Sequence, residues 1–201
     1  MPDLLTDGGI AALLAELGVV RTGHYALSSG AHSDTYLQCA LALSSPGVAL
    51  ALGRALAGRV RDAGHEVDVV VSPALGGVLA GFAVAAALDR RFVFAERVEG
   101  AFALRRGQHL VPGERVLVVE DVVTTGGSAS ELAGLVRAQG ATVAAVASIV
   151  DRSRGLPPEQ RPAWRPISLY RVAPAVWAPS ACPRCAAGDP LDRPGSRPAP
   201  G

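Results

Sequence analysis

Apolar residues follow two different patterns along this chain. Short runs rich in β-branched residues are typical of buried strands, and they occur at residues 67–71, 91–95, 116–119, 142–150 and 167–172. Elsewhere, apolar residues recur every three or four positions, which predicts helices at residues 10–17, 46–63, 78–88 and 129–139. Because strands and helices alternate through the middle of the chain, we predict an α/β fold with a central parallel sheet flanked by helices.

Three loops of the predicted sheet follow the carboxyl ends of strands. Ser72, Glu120 and Arg152 each stand at such an end. Ligands of open parallel sheets bind in the crevice outside these ends. The sequence therefore predicts one binding site where the three loops converge.

The loop after residues 116–119 combines two acids with a glycine turn. Glu120 and Asp121 are followed by the small, hydroxyl-rich residues 124–128 and then by a predicted helix. A glycine turn at a helix start presents backbone N–H groups that bind phosphate. Since the carboxylates would repel a phosphate, we expect them to face sugar hydroxyls or a hydrated metal ion. A ribose 5-phosphate offers both groups; the alternative is an ordinary turn with a solvated acid pair.

The composition of the chain argues against a nucleic-acid-binding protein and against a membrane-spanning one. The net charge of +1 and the 49% of hydrophobic residues do not indicate a nucleic-acid-binding surface. The chain has no signal-peptide pattern and no apolar run of about 18 residues, so we expect a soluble cytoplasmic protein without a membrane span. All 19 basic side chains are arginines, and lysine is absent from the sequence.

Residues 118–128, Val-Val-Glu-Asp-Val-Val-Thr-Thr-Gly-Gly-Ser, resemble the phosphoribosyl-diphosphate (PRPP) loop of type I phosphoribosyltransferases, most of all the orotate phosphoribosyltransferases. The pattern aromatic-x-Leu-x-Ser-Gly from Tyr25 to Gly30, followed by Ser33 and Tyr36, resembles the substrate hood of the same family. The resemblance implies a type I phosphoribosyltransferase domain at residues 1–172, with the hood at residues 1–45 and a mobile loop at residues 96–112.

The resemblance also implies an activity. Such an enzyme transfers the 5-phosphoribosyl group from PRPP to orotate, giving orotidine 5′-monophosphate and diphosphate for pyrimidine biosynthesis. Mg²⁺ would be held by PRPP rather than by protein side chains, and a homodimer would place residues 96–112 over the neighbour's site. Two alternatives remain open: a purine-base phosphoribosyltransferase and a non-catalytic PRPP-sensing regulator on the same fold. The sequence lacks the DNA-binding extension or basic surface usual in such a regulator.

The resemblance assigns roles residue by residue. Glu120 and Asp121 would accept hydrogen bonds from the ribose hydroxyls. PRPP would be bound by Glu120, Asp121, Val122, Val123, Thr124, Thr125, Gly126, Gly127, Ser128 and Arg97, with its diphosphate on Leu75, Gly76 and Gly77. Orotate would contact Thr124, Arg152, Ser29 and Gly30. From the residues alone, Gly76 and Gly77 fit close helix packing equally well, and Arg152 fits a surface salt bridge.

The predicted mobile loop departs from the family pattern. Family members carry lysines there, whereas this chain offers Arg97, Arg105, Arg106 and His109. Arg97 aligns nearest the usual catalytic lysine and is assigned the catalytic role with Glu120 and Asp121. Because arginine does not readily release a proton, the loop supplies electrostatic stabilisation, or else His109 carries the proton.

The end of the chain has a different composition. Eleven of the 15 prolines follow residue 156, and residues 173–201 form a Pro/Gly-rich tail that we expect to be poorly ordered from Gly188 or to cover a partner. Cys182 and Cys185 have the spacing of half a zinc knuckle. Zinc shared between two chains, free thiols and a reversible disulfide are the three alternatives. His24, His32 and His65 have no metal partner at useful spacing, so we expect them to be surface or loop residues.

Overall fold

The computed structural model describes residues 6–27 and 29–194, which form two sheets. The strands are β1 (Val20–Ala26), β2 (His32–Leu37), β3 (Val69–Pro73), β4 (Arg91–Val98), β5 (Ala101–Leu104), β6 (Arg115–Val123), β7 (Thr142–Asp151), β8 (Ile167–Arg171) and β9 (Val176–Trp177). The larger sheet has the order β5-β4-β3-β6-β7-β8, and only β5 runs antiparallel to its neighbour. The smaller, antiparallel sheet has the order β1-β2-β9.

Helices cover both faces of the larger sheet. They are α1 (Asp7–Glu16), α2 (Ala40–Leu43), α3 (Pro46–Asp62), α4 (Gly77–Leu88), α5 (Gly127–Ala138) and α6 (Pro183–Ala186). The predicted α/β class, with a mostly parallel sheet between helices, is confirmed. Within the described ranges, no helix is long and apolar enough to cross a membrane.

The central strand β6 is buried on both faces, which explains its continuous apolar run. Leu117 and Val119 belong to the core formed with α1, α3 and α4, whereas Val116 and Val118 belong to the core formed with α5. Successive side chains of a strand point to opposite faces, so one short segment contributes to both cores. The strand continues past the predicted end at Val119, so the acid pair lies within β6, and the burial of the strand holds the pair in a fixed position.

The contact between α3 and α4 depends on a glycine. A Cβ atom built on Gly53 would lie 2.5 Å from the backbone carbon of Ala83, a distance that no side-chain rotation relieves. Gly58, also on α3, has nothing within 4 Å of such a Cβ. The two helices therefore approach closely at Gly53, whereas Gly58 has open space around it.

Gly53→Ala is expected to lower the free energy of unfolding by about 1–3 kcal/mol, because the added methyl group forces α3 away from α4. Gly58→Ala is the matched control, and it should raise stability by about 0.5–1 kcal/mol through helix propensity. Urea unfolding monitored by circular dichroism measures both. Equal effects of the two substitutions would contradict the close contact.

Part of the predicted mobile loop is a hairpin. Residues 96–98 continue β4 and residues 101–104 form β5, so the prediction of a loop from Glu96 was wrong for these positions. The turn between them has φ values of 50° at Glu99 and 88° at Gly100, as a tight two-residue hairpin requires. Phe102 is buried against the sheet and fixes the pairing. The mobility assigned to residues 96–112 stays a prediction.

The smaller sheet forms the N-terminal hood and also receives the end of the chain. The glycines and serines of residues 23–30 are typical of a loop, but β1 continues through Ala26. Strand β9 pairs with His32 and Ser33 of β2, and Asp192 forms a bridge with Tyr25 of β1. The expectation of a poorly ordered tail or one that covers a partner was therefore wrong for residues 188–192, which pack on the chain's own hood. Residues 195–201 lie outside the described part of the chain.

Candidate active site

The acid pair lies at the carboxyl end of β6, beneath the hood. Glu120 is 8% exposed and Asp121 is half-buried. Asp121 Oδ1 accepts a hydrogen bond from the Val122 N–H at 2.9 Å, and Asp121 C=O lies 3.8 Å from the Cys39 Sγ at the base of the hood. Among the described residues, Glu120 Oε1 has no hydrogen-bond partner. This oxygen is therefore available to a ligand that donates a hydrogen bond.

Burial raises the pKa of both acids. Loss of solvent raises the pKa of Glu120 to about 7, and the adjacent charge of Asp121 adds to the rise. Burial also raises the pKa of Asp121, while the Val122 N–H opposes that change. Neither carboxyl group has a cationic partner among the described residues, and an acid pair of this kind is typical of a ligand-binding site.

The glycine turn leads directly from the acid pair into α5. Gly126 has a φ of 75°, and a Cβ there would lie 2.8 Å from Trp164. Thr125 Oγ1 accepts from the Gly127 N–H at 3.4 Å, and the first hydrogen bond within the helix runs from the Ser130 N–H to the Gly126 C=O. The N–H groups of the first helical turn therefore lie outside the helical ladder, and although that of Ala129 interacts with the Glu120 carboxyl, the start of α5 suits phosphate binding.

The loop after β3 lies beside the acid pair. A Cβ on Gly76 would lie 3.1 Å from Asp121 Oδ2, and a Cβ on Gly77 would lie 3.1 Å from the Val119 C=O. Both glycines therefore permit the close approach of the loop after β3 to β6. The neighbouring Leu75 is 87% exposed, so its side chain does not pack in the core. The structure brings the predicted diphosphate loop and the acid pair together, with the Ala74–Leu75 peptide bond in the cis form.

Arg152 lies at the end of β7, next to the glycine turn. Its N–H donates to the Val123 C=O at 2.9 Å, and Asp151 Oδ1 accepts from the Ser153 N–H at 2.9 Å to shape the turn. The Arg152 side chain is half-buried, and burial lowers its pKa. Within residues 6–27 and 29–194, its guanidinium has no hydrogen bond or ion pair, so the surface salt bridge weighed from the sequence is not present. A desolvated, unpaired cation is a favourable contact for a carboxylate ligand.

Other predicted site residues have partners of their own or lie at an exposed turn. Arg97 pairs with Glu131 at 3.0 Å and stacks 4.1 Å from the Phe102 ring, while Arg106 pairs with Glu96 at 3.0 Å. Ser29 and Gly30 lie at the exposed tip of the β1–β2 hairpin. Sequence reasoning missed the contact of Cys39 with the acid pair, since a cysteine after an extended segment carries no signal of its neighbours.

Comparisons with known proteins agree with this geometry. Residues 42–181 match the model of the phosphoribosyl transferase domain family. The chain is 44% identical to the orotate phosphoribosyltransferase of Chlorobaculum parvum, with 96% of this chain and 97% of that protein covered. It is 45% identical to that of Pelotomaculum thermopropionicum, with 96% and 99% covered. The crystal structure of Mycobacterium tuberculosis orotate phosphoribosyltransferase in complex with inorganic phosphate has a TM-score of 0.63 and 28% identity, with 83% of this chain and 96% of that chain covered.

Proposed function

This chain belongs to the orotate phosphoribosyltransferase family, and from that premise we propose that it transfers the 5-phosphoribosyl group of PRPP to orotate. The products are orotidine 5′-monophosphate and diphosphate, and the reaction serves pyrimidine biosynthesis. The observation that carries the proposal is the half-buried Arg152, whose guanidinium has no hydrogen bond or ion pair among the described residues and whose N–H donates to Val123 C=O, just before the glycine turn. Together they provide one site for a carboxylate, one for a ribose and one for a phosphate.

The proposed mechanism relies on electrostatic stabilisation rather than on a protein nucleophile. Breaking the bond between C1′ and the diphosphate oxygen builds positive charge on the ribose and negative charge on the leaving group. Glu120 and Asp121 accept hydrogen bonds from the ribose hydroxyls, which favours their charged forms and places negative charge near the developing cation. The N–H groups at the start of α5 hold the 5′-phosphate, and the backbone of residues 75–77 holds the diphosphate.

Arg152 orients the acceptor in this proposal. A guanidinium forms two parallel hydrogen bonds with a planar carboxylate, so it fixes orotate by the group that distinguishes it from uracil. Thr124, Ser29 and Gly30 are assigned to the same substrate. The hood holds orotate against the ribose and excludes water from C1′.

Magnesium fits the site as an ion carried by PRPP. Within the described ranges, Glu120 and Asp121 have no third carboxylate or imidazole close enough to complete a protein cage for a metal. We therefore assign Mg²⁺ to the oxygens of PRPP, where it neutralises the charge of the diphosphate. Glu120 and Asp121 then do not bind the metal and can accept hydrogen bonds from the ribose hydroxyls.

We further propose a cytoplasmic homodimer in which residues 96–112 act on the neighbour's site. The loop carries exposed cations: among the described residues, the Arg105 guanidinium has no hydrogen bond or salt bridge, and Arg97 is half-exposed. Exposed arginines in this segment could contact the bound diphosphate of a second subunit. The three cysteines are unpaired, as is usual in a reducing compartment.

The activity is tested by mixing the purified chain with orotate, PRPP and Mg²⁺ and following the loss of orotate absorbance. We expect turnover with orotate and none with hypoxanthine, guanine or adenine. Turnover with a purine base alone would overturn the proposal. PRPP binding without turnover of any base would instead support a non-catalytic sensor.

Arg97→Ala is expected to lower kcat about 100-fold with little change in PRPP affinity, because the lost cation acts on the leaving diphosphate in the transition state. Glu131→Gln is the matched control, since it removes the partner of Arg97 within the chain but keeps the cation. Steady-state kinetics and PRPP titration measure the two effects. An unchanged kcat in Arg97→Ala would assign the role to Arg105 or Arg106, and an equal loss in Glu131→Gln would make Arg97 a structural residue.

A further inference from the structure

Two histidines and two cysteines from opposite ends of the chain meet between the hood and the C-terminal segment. His24 lies on β1, His32 on β2, and Cys182 and Cys185 flank the start of α6. One side-chain nitrogen or sulfur from each residue lies within 4.8 Å of all the others. The prediction that His24 and His32 are isolated surface or loop residues was wrong, since both are buried.

Four of the six distances between these atoms are close to the edges of a tetrahedral metal site. His24 Nε2 lies 3.2 Å from His32 Nδ1 and 3.4 Å from Cys182 Sγ. Cys185 Sγ lies 3.6 Å from His24 Nε2 and 3.2 Å from His32 Nδ1. Metal–ligand bonds of about 2.0–2.3 Å in a tetrahedron give ligand–ligand edges of about 3.3–3.8 Å. The four atoms therefore surround a position of the size that a tetrahedral metal ion occupies.

A hydrogen bond to the backbone orients the first histidine. His24 Nδ1 lies 3.0 Å from the Asp189 C=O, an acceptor, so this nitrogen carries the proton and donates it. His24 Nε2 then has only a lone pair, and it faces His32 Nδ1 and both sulfurs. This lone pair can accept one hydrogen bond, but three potential donors, the second histidine and the two thiols, lie around it. In metal sites, the outer nitrogen of a histidine ligand donates in this way and directs the inner nitrogen to the metal.

The surrounding structure closes the cluster on most sides. His24, His32 and Cys182 are 4%, 7% and 3% exposed, while Cys185 is exposed and leaves a path from solvent. The turn after Cys185 is held by hydrogen bonds from the Ala186 N–H to the Cys182 C=O at 3.2 Å and from the Gly188 N–H to the Cys185 C=O at 3.0 Å. A position with φ of 76° at Gly188 completes this tight turn. The two cysteines are thus held with both sulfurs on the same side.

We propose that His24, His32, Cys182 and Cys185 bind one Zn²⁺ ion within a single chain. Two sulfur and two nitrogen ligands in a tetrahedron are the preference of zinc, and four protein ligands make a closed structural site rather than a catalytic one. All four ligands come from one chain, so the site does not need cysteines from a second chain, as the zinc site considered in the sequence analysis did. A disulfide between Cys182 and Cys185 would leave both buried histidines without a role.

The ion would fasten the end of the chain to the hood. Strand β9, the ligand turn and Asp192 all contact β1 or β2, but the paired segments are short, with two residue pairs between β2 and β9. Metal coordination adds four strong bonds at the junction between them. Because the β1–β2 hairpin tip carries Ser29 and Gly30, zinc would also stabilise the part of the hood that is assigned to the nucleobase. The proposal itself is independent of the transferase activity.

Elemental analysis of the purified full-length chain tests the proposal directly. We expect about one zinc per chain, as a four-ligand structural site binds a single ion. About half a zinc per chain would indicate a site shared between two chains and would overturn the single-chain site. A metal-free chain that fails to bind added Zn²⁺, or a chain in which mass spectrometry shows a Cys182–Cys185 disulfide, would also overturn it.

Substitutions with a spectroscopic readout separate metal binding from folding. Replacement of zinc by Co²⁺ should give the visible absorption of a tetrahedral thiolate–imidazole site in the unsubstituted chain. His32→Ala and Cys185→Ser should lose this spectrum and the bound zinc, and their melting temperature should no longer fall when a chelator is added. His65→Ala is the matched control, since this histidine lies outside the cluster, and it should keep the spectrum, the metal and the response to chelator. An unchanged cobalt spectrum in both ligand variants would contradict the assignment.

Discussion

Arg152→Ala is expected to lower kcat/KM for orotate by about 100-fold, because truncation removes a desolvated cation that pairs with the orotate carboxylate. The structure supports a large effect, since the guanidinium is half-buried and has no ion pair among the described residues. The Arg152 guanidinium can therefore pair with the ligand without first breaking an ion pair to a neighbouring acid. The KM for PRPP should change little, because phosphate and ribose are assigned to other groups.

Two controls distinguish a specific contact from a general effect of charge. Arg154→Ala removes an exposed arginine two residues away and should leave kcat/KM for orotate unchanged. Arg152→Lys keeps the charge but loses the paired hydrogen bonds, so its activity should lie between those of the other two proteins. Steady-state kinetics with each substrate varied in turn measures these effects. An equal loss of affinity for PRPP and for orotate would contradict the assigned role of Arg152.

Glu120→Gln is expected to weaken the enzyme and to stabilise the ligand-free protein. The loss in kcat/KM for PRPP should be about 100-fold, as for the removal of one preorganised electrostatic group. A neutral amide donates as well as accepts, and it no longer places negative charge near the ribose. Assays at pH 8, where Glu120 is ionised, give the clearest comparison.

The stabilisation follows from the raised pKa of Glu120. The folded protein holds this proton to a pH of about 7, against an ordinary value of 4.5. A raised pKa contributes stability that is complete below pH 4.5 and is lost as the pH rises through 7. Over that window the loss amounts to about 3 kcal/mol at most, and glutamine, which does not ionise, avoids it. Glu120→Gln should therefore match the unsubstituted chain at pH 5 and be more stable at pH 8.

Urea unfolding at the two pH values, without ligands, measures this difference. Glu16→Gln, an exposed substitution on α1, is the matched control and should show the pH dependence of the unsubstituted chain. Parallel pH dependence in Glu120→Gln and in the unsubstituted chain would contradict the buried, destabilising carboxylate. If Glu120→Gln raises stability and lowers activity, the acid pair serves ligand binding at a cost to the stability of the ligand-free protein.

Local patterns were sufficient to predict most of the larger sheet. The five parallel strands and their main helices lie within a few residues of the predicted ranges, because strand and helix periodicity is encoded in neighbouring residues. The hairpin at β5 was missed, since its pairing depends on burial of Phe102 against the sheet. The short strand β9 was missed for a similar reason: two residues carry no recognisable period, and pairing with β2 alone defines them.

The acid pair and the glycine turn before α5 could be predicted from the sequence, because these features are contiguous and their chemistry is local. The contact of Gly76 with Asp121, and the absence of a partner for the Arg152 guanidinium within the described chain, could be read only from the folded structure. It alone brought His24 to Cys182, which is 158 residues away. Such contacts depend on how strands, loops and the end of the chain pack in three dimensions. Residues far apart in the sequence show no pattern that would indicate their closeness in space.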